Sequence, residues 1–313
     1  MKITILDAAT LGADMRFGVF EELGETVVFR TTEKELVAER IKDTDVVILN
    51  KVKLNESNLK SAKSLKLICV TATGFDNIDT QYCRENGIAV CNVCGYSTNS
   101  VAQVTVAMAL SLACHLTEYD KYSKSGAYTK SGVQNMLSPV YNELSGKTWG
   151  IVGMGNIGRQ VAKVAEALGC RVIYTRRTPD KLSVTLPRLM KESDIISVHT
   201  PLSPETKGMI GREELQMCTK KPILINVARG AVTDEEALTE GVLEGRLSGI
   251  GIDVYETEPF GADHPYNKLR DFDNVILTPH MAWGAYESRV RLLDEIAENI
   301  KSFYNGENRG RIV

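Results

Sequence analysis

The stretch Thr148–Arg177, TWGIVGMGNIGRQVAKVAEALGCRVIYTRR, reads as strand, glycine turn, helix and strand in direct succession. Its centre is Gly153, Gly155 and Gly158 in the spacing G-x-G-x-x-G, entered from the apolar run Trp149–Val152. The first glycine permits a tight turn, the second lets a pyrophosphate reach the backbone, and the third lets helix pack closely on strand. A helix opening at Asn156 and Ile157 aims free N–H groups and a positive dipole end at those phosphates. Val161, Val164, Ala165 and Leu168 form its apolar stripe, and Gly169 is its stop. A glycine turn that serves packing alone is the competing reading, and the complete βαβ pattern weighs against it.

Outward from this unit the same alternation recurs. Upstream, Lys2–Leu6, Thr26–Phe29, Val46–Leu49, Leu67–Thr71 and Ile88–Cys91 are short apolar β-type runs, separated by polar or helix-like segments such as Glu33–Ile41. Strands alternating with helices imply a parallel sheet covered on both faces. Ser97–His115 reads as a long, almost wholly apolar helix, buried in a core or an interface. Tyr119–Leu137, rich in Ser, Lys, Gly and Tyr, reads as a surface excursion. Downstream come the helix Leu186–Ser193, the strands Asp194–Leu202 and Ile223–Gly230, the helix Asp234–Glu244, and the strands Ser248–Pro259 and Asn274–His280. In each of these strands the polar residues cluster at the C-terminal end, where open α/β sheets bind ligands. The last helix, Ala285–Tyr304, carries its own apolar stripe and is suited to return to the first domain.

A chain of 313 residues with a formal net charge of −3 has core enough for two domains and no basic footprint for nucleic acid. The seven cysteines are scattered, which suits a reducing, cytoplasmic setting. Cys91 and Cys94 form one C-x-x-C without a second pair to complete a zinc site, so they read as buried, inert thiols and no metal is expected. The apolar region Val101–Leu116 is interrupted by Gln103, Thr105 and Ser111 and falls short of a membrane span of about 20 residues.

Three ionisable residues fall at successive strand ends: Arg229 after INVARG, Glu258 after IDVYET and His280 after ILTP. Brought to one sheet edge they make an anion anchor, an orienting carboxylate and a proton donor. Arginine binds a carboxylate through a planar fork and stays charged. Histidine exchanges protons near neutrality, and a carboxylate on its far nitrogen fixes the tautomer. Singly, each has a bland reading: a surface cation, a loop acid, a capped histidine. Two loops near other strand ends, Asn50–Lys51 and Ala72–Asp79 (ATGFDNID), read either as ligand loops or, for Lys51, as a solvated lysine and, for the second, as a capped turn.

The segments ATGFDNID, GYSTNSVAQ, GIVGMGNIGRQVA, SVHTPLSPETKGMI, LINVARGAVTDEEAL, GIDVYETEP and LTPHMAW resemble the D-isomer-specific 2-hydroxyacid dehydrogenase family from end to end. GYSTNSVAQ, and HMAW with Trp283, are similar to its glycerate dehydrogenase (hydroxypyruvate reductase) branch. The resemblance implies two doubly wound parallel-sheet domains. A Rossmann nucleotide domain, residues 99–285, is inserted into a flavodoxin-like substrate domain, residues 1–98 and 286–313, with the active site between them. It also implies a homodimer that uses the long helix and the Tyr119–Leu137 excursion. Arg229 then grips a 2-oxo acid, Glu258 pairs with His280, and His280 protonates the carbonyl as hydride arrives. The backbone of Thr73 and Gly74 holds the substrate carboxylate and Lys51 faces the cleft. Trp283 either caps the substrate pocket or packs against the nicotinamide. Asp253 bonds the nicotinamide carboxamide, Thr200 and Pro201 border the adenosine, and Val227 and Ala228 border the nicotinamide ribose.

One departure concerns the cofactor, NAD or NADP. NAD-specific members carry an acid at the end of the second nucleotide-domain strand, for the ribose 2′-hydroxyl. Here that position reads Tyr174-Thr175-Arg176-Arg177, without one, and two arginines suit the 2′-phosphate of NADP. The favoured expectation is a reductase of hydroxypyruvate or glyoxylate that prefers NADP. The alternatives are a dehydrogenase of the same family for lactate or phosphoglycerate, or a non-catalytic NAD(H)-sensing corepressor.

Overall fold

A computed structural model describes residues 1–313 of the protein. The chain divides into two compact units, Met1–Ser97 with Gly284–Val313, and Thr98–Trp283. Both are doubly wound α/β structures in which every ladder is parallel.

The first unit is a five-stranded sheet of β1 (Lys2–Ile5), β2 (Glu25–Val28), β3 (Val46–Leu49), β4 (Leu67–Val70) and β5 (Ala89–Cys91), in the order β2-β1-β3-β4-β5. The central strands VVIL and LICV are buried at every position, as a sheet covered on both faces requires. The terminal helix Tyr286–Tyr304 belongs to this unit and buries Leu292, Leu293, Ile296 and Ile300. Asn299 in that helix donates from Nδ2 to the Asn92 carbonyl at 3.1 Å. Chain order reverses between β1 and β3, and a ligand crevice forms beyond the strand ends at such a switch point.

The second unit contains β6 (Thr148–Val152), β7 (Arg171–Thr175), β8 (Ile195–Val198), β9 (Ile223–Asn226), β10 (Gly249–Ile252) and β11 (Val275–Leu277), in the order β11-β10-β9-β8-β6-β7. Alternate side chains of β6 feed different cores. Trp149 and Ile151 pack with the helices Thr98–Ala113 and Asn156–Ala167, whereas Val152 joins Leu189, Leu224 and Leu238 on the other face. The sequence GIGI of β10 lets the long helix lie close: a Cβ on Gly251 would stand 3.1 Å from Met108, and one on Gly249 3.3 Å from Leu112. Each large apolar side chain buried there contributes about 1.5–3 kcal/mol.

One expectation gains detail and one needs correction. The Tyr119–Leu137 surface excursion is partly helical, as Leu116–Lys124 and Ala127–Ser131. The Asp120–Lys124 pair, 2.7 Å at i,i+4, supports the first helix, and Gly126 and Gly132 end the turns with positive φ. Among the thiols, Cys94 is exposed, although Cys91 is buried. No single helix is long and apolar enough to cross a membrane.

Candidate active site

The fingerprint glycines occupy three different environments. Gly153 has φ +101°, and a Cβ there would stand 2.8 Å from the backbone of His199 and Thr200, so the turn abuts the end of β8. Gly158 would drive a Cβ into the Gly153 carbonyl, and its bareness seats helix on turn. A Cβ on Gly155 would meet nothing within 4 Å, which leaves open room at the N-terminus of the helix Asn156–Ala167. No side chain caps that end, so its first N–H groups are available to an anion. Asn156 is held by Arg159, Nη2 to Oδ1 at 2.7 Å, and Ile157 packs into the core below. The cradle therefore fits a dinucleotide pyrophosphate.

The sides of this cradle lie where β7 and β8 end. The N–H groups of Gly153 and Met154 donate to the Thr175 carbonyl, 3.1 and 3.3 Å, so Arg176 and Arg177 begin beside the glycine turn. Arg176 is ion-paired with Asp180 at 2.8 Å, while Arg177 makes no ion pair. Past β8, Thr200 is half-buried and Pro201 exposed. His199 shares Ser197 Oγ with the buried indole of Trp149, at 3.0 and 2.9 Å. Its Nδ1 is buried without a partner, and burial pushes the imidazole down to about 3, so the ring is neutral.

Arg229, Glu258 and His280 follow β9, β10 and β11, which are neighbours in the sheet. Gly230 makes the first two turns meet, because a Cβ there would collide with the backbone of Tyr255 and Glu256. Asn226, fully buried, fixes the Arg229 turn: its Nδ2 donates to the Arg229 carbonyl (3.0 Å) and to Thr233 Oγ1 (3.1 Å), and its Oδ1 accepts from the Ala228 N–H (3.0 Å). The Arg229 guanidinium touches only the Ala228 carbonyl, 2.8 Å, which leaves donors for a substrate. Val227 is buried and Ala228 half-buried on the same turn.

Glu258 accepts the Tyr255 N–H on Oε1 at 3.1 Å and faces His280 Nδ1 through Oε2 at 2.7 Å. That contact assigns the Nδ1 proton to the carboxylate side and leaves Nε2 for chemistry. His280 has φ +52°, a backbone conformation that side chains other than glycine seldom adopt. Asp253 explains how this is sustained. Its carboxylate, 1 % exposed, accepts from Thr278 Oγ1 (2.6 Å), the Met281 N–H (2.8 Å) and the Ala282 N–H (2.9 Å), and so clamps the turn on both sides of His280. Tyr255 adds a bond from its hydroxyl to the Thr278 carbonyl at 2.9 Å. Trp283 is half-buried against the core that contains Trp149 and Val101.

In the first unit Lys51 is exposed, on a loop held by Asp7. The Asp7 carboxylate accepts the N–H groups of Asn50 (2.9 Å), Lys51 (2.6 Å) and Val52 (3.1 Å). Asn77 ties the same loop by donating to the carbonyls of Asn50 (3.1 Å) and Val52 (2.8 Å). Thr73 bonds Val93 and Asn92 through its hydroxyl and carbonyl; the N–H groups of Thr73 and Gly74 are not used in holding this loop. Asn226, Gly230 and Tyr255 lie inside the LINVARGAVTDEEAL and GIDVYETEP segments without a clamping role legible there, and Asp7 lies outside every motif. The one sequence signal for Asp7 is its place just past β1.

A glycine cradle at a parallel-sheet switch point, with Arg, Glu and His on three adjacent strand ends, defines a dinucleotide-dependent oxidoreductase. The sequence model described as "D-isomer specific 2-hydroxyacid dehydrogenase, NAD binding domain" matches residues 106–282. A glycerate dehydrogenase of Methylorubrum extorquens is 35 % identical over 98 % of this chain and 97 % of its own. A hydroxypyruvate reductase of Blautia hydrogenotrophica is 33 % identical over 98 % of both. The structure of an Aquifex aeolicus D-lactate dehydrogenase, complexed with NAD and lactic acid, superposes with a TM-score of 0.85 at 30 % identity, covering 98 % of this chain and 96 % of that one. The chain belongs to the D-isomer-specific 2-hydroxyacid dehydrogenase family and is an NAD(P)-dependent oxidoreductase acting on CH–OH groups.

Proposed function

We propose that the protein reduces a small 2-oxo acid, hydroxypyruvate or glyoxylate, to its D-2-hydroxy acid. The observation that carries this reading is the 2.7 Å contact between Glu258 and His280 Nδ1, beyond the ends of β10 and β11, with Arg229 beyond β9 on the other side of β10. When bound, the nicotinamide ring exchanges a hydride with the substrate carbon. His280 gives a proton from Nε2 to the carbonyl oxygen, and Glu258 stabilises the imidazolium form that precedes this transfer. Arg229 grips the 2-oxo carboxylate group with its free donors. The N–H groups of Thr73 and Gly74 meet the carboxylate, Lys51 collects the anion, and Trp283 borders the pocket. Val227 and Ala228, with Thr200 and Pro201, line the nucleotide. Oδ2 of Asp253 accepts the Ala282 N–H and retains a lone pair for the carboxamide.

A small substrate is favoured over phosphoglycerate because Lys51 is the one cation on the loops 50–52 and 72–79. NADP is favoured over NAD because no acid occupies Tyr174–Arg177 and Arg177 is unpaired. We further read the protein as cytoplasmic and as a homodimer, the second supported by the exposed apolar side chains Val133 at 60 %, Leu137 at 77 % and Val140 at 77 %.

The test is His280→Ala, assayed with hydroxypyruvate and glyoxylate. Turnover should fall by about 10²–10⁴-fold, while fluorescence titration shows dinucleotide binding within about twofold. Retained turnover would refute the assignment, and dinucleotide binding with no turnover in the wild type would favour the sensing alternative.

A further inference from the structure

The end of β7 has no acid in sequence, but the fold returns one to it. Asp180 folds back over the strand end and gathers a dense set of donors. Its Oδ2 accepts from Arg176 Nη1 at 2.8 Å and from the Tyr174 hydroxyl at 3.1 Å. Its Oδ1 accepts from the same hydroxyl at 2.9 Å, the Leu182 N–H at 3.0 Å and the Ser183 N–H at 2.8 Å. A carboxylate offers about four lone-pair sites, so this one has little left for a ribose hydroxyl. The donors hold the Asp180 carboxyl down at about 2, with Arg176 the largest cause, and it stays ionised at every working pH. Arg176 is correspondingly occupied, whereas Arg177, beside the fingerprint turn, makes no close ion pair and feels only the field of Glu205.

We propose that Asp180 is a specificity-determining positioning residue: it latches Arg176 away from the 2′-position of the adenine ribose and so limits the discrimination between NADP and NAD. The inference rests on the cofactor reading above, in which the Arg176–Arg177 corner meets the 2′-substituent. The hydrogen bonds of the latch involve only Tyr174, Arg176, Leu182 and Ser183, and none reaches the glycine cradle, Thr200 or Val227. Removing the Asp180 charge therefore changes the affinity for one cofactor, whereas a general loosening of the 176–183 loop would change both.

The test is dissociation constants for NADPH and NADH, measured by fluorescence titration without substrate, in the wild type, Asp180→Asn, Arg176→Gln and the double variant. Asp180→Asn should tighten NADPH on the order of fivefold, the scale of an exposed ion pair, and leave NADH within twofold. In the Arg176→Gln background the same change should give less than twofold, because the freed arginine is no longer there. Asp180→Ser, whose hydroxyl still accepts a turn N–H, should repeat the shift if the asparagine variant folds poorly. An unchanged NADPH-to-NADH ratio in both Asp180 variants overturns the latch, as does an equal gain with and without Arg176. Tighter NADH than NADPH in the wild type, with the ratio still moved by Asp180→Asn, would sink the NADP preference and leave the latch standing.

Discussion

Each unit carries a buried aspartate just past the end of a strand, and the two solve related problems differently. Asp7, after β1, gives its carboxylate to three consecutive N–H groups, Asn50 to Val52. Asp253, after β10, spreads its bonds over Thr278, Met281 and Ala282, on both sides of His280. A loop that offers backbone and a single lysine is held by one anion under one turn. A loop that must aim an imidazole from a left-handed backbone, a conformation that costs about 1–3 kcal/mol, is held by a clamp, by Tyr255 and by Glu258 as well. Precision at a side chain demands more ties than placement of a charge.

The sharpest way to break this contrast is Asp253→Asn. The amide can keep two of the bonds, but its NH₂ then faces a buried N–H that loses its acceptor, a loss of about 1–3 kcal/mol. Displacing His280 by even an ångström should lower kcat by about 10²-fold, with the dissociation constant for the dinucleotide changed by about threefold or less. Equilibrium titration beside steady-state rates separates the two. A large loss of dinucleotide binding at unchanged kcat would show that Asp253 serves the carboxamide first and the His280 turn second.

Asp7→Asn applies the same chemical change to the first unit and should do less. The loop it loosens carries no imidazole, so KM for the 2-oxo acid should rise about three- to tenfold, the scale of one ordinary hydrogen bond, while kcat stays within twofold. A fall in kcat as deep as that of Asp253→Asn would erase the distinction between a loop that collects substrate and one that performs chemistry.

What the sequence made legible follows the same division. The strand ends, the glycine cradle and the Arg229, Glu258 and His280 positions are local patterns: apolar runs, turn residues and the polar residue that follows them. The clamps are long-range, and no window of sequence holds both partners. Asp7 reaches 43 to 45 residues ahead, and Asp253 reaches 25 to 29. Gly230 looks like a turn glycine until the Tyr255 backbone is seen against it. The helices within the Tyr119–Leu137 surface excursion are hidden from the sequence for the opposite reason. Its composition is that of a loop, and the i,i+4 pair that favours a helix lies inside a polar stretch with little apolar period to announce it.

A third strand end refines the contrast, because there a polar group is buried with half its bonds unmade. His199 is neutral in the folded chain, its pKa down at about 3 from an ordinary 6.5, through burial. Below pH 6.5 the unfolded chain takes up the proton first, so this group leaves stability intact above that pH. The stability then declines as pH falls toward 3, by at most about 1.4 kcal/mol per unit. His199→Gln can still meet Ser197 and has no proton to take up. At pH 7.5 its melting temperature should differ little from that of the wild type; between pH 6.5 and 4.5 the wild type should fall faster. Parallel curves over that range would mean that the imidazole titrates alike in both states. The unpaired Nδ1 would then be reached by water, and His199 would join Asp7 and Asp253 as a satisfied group.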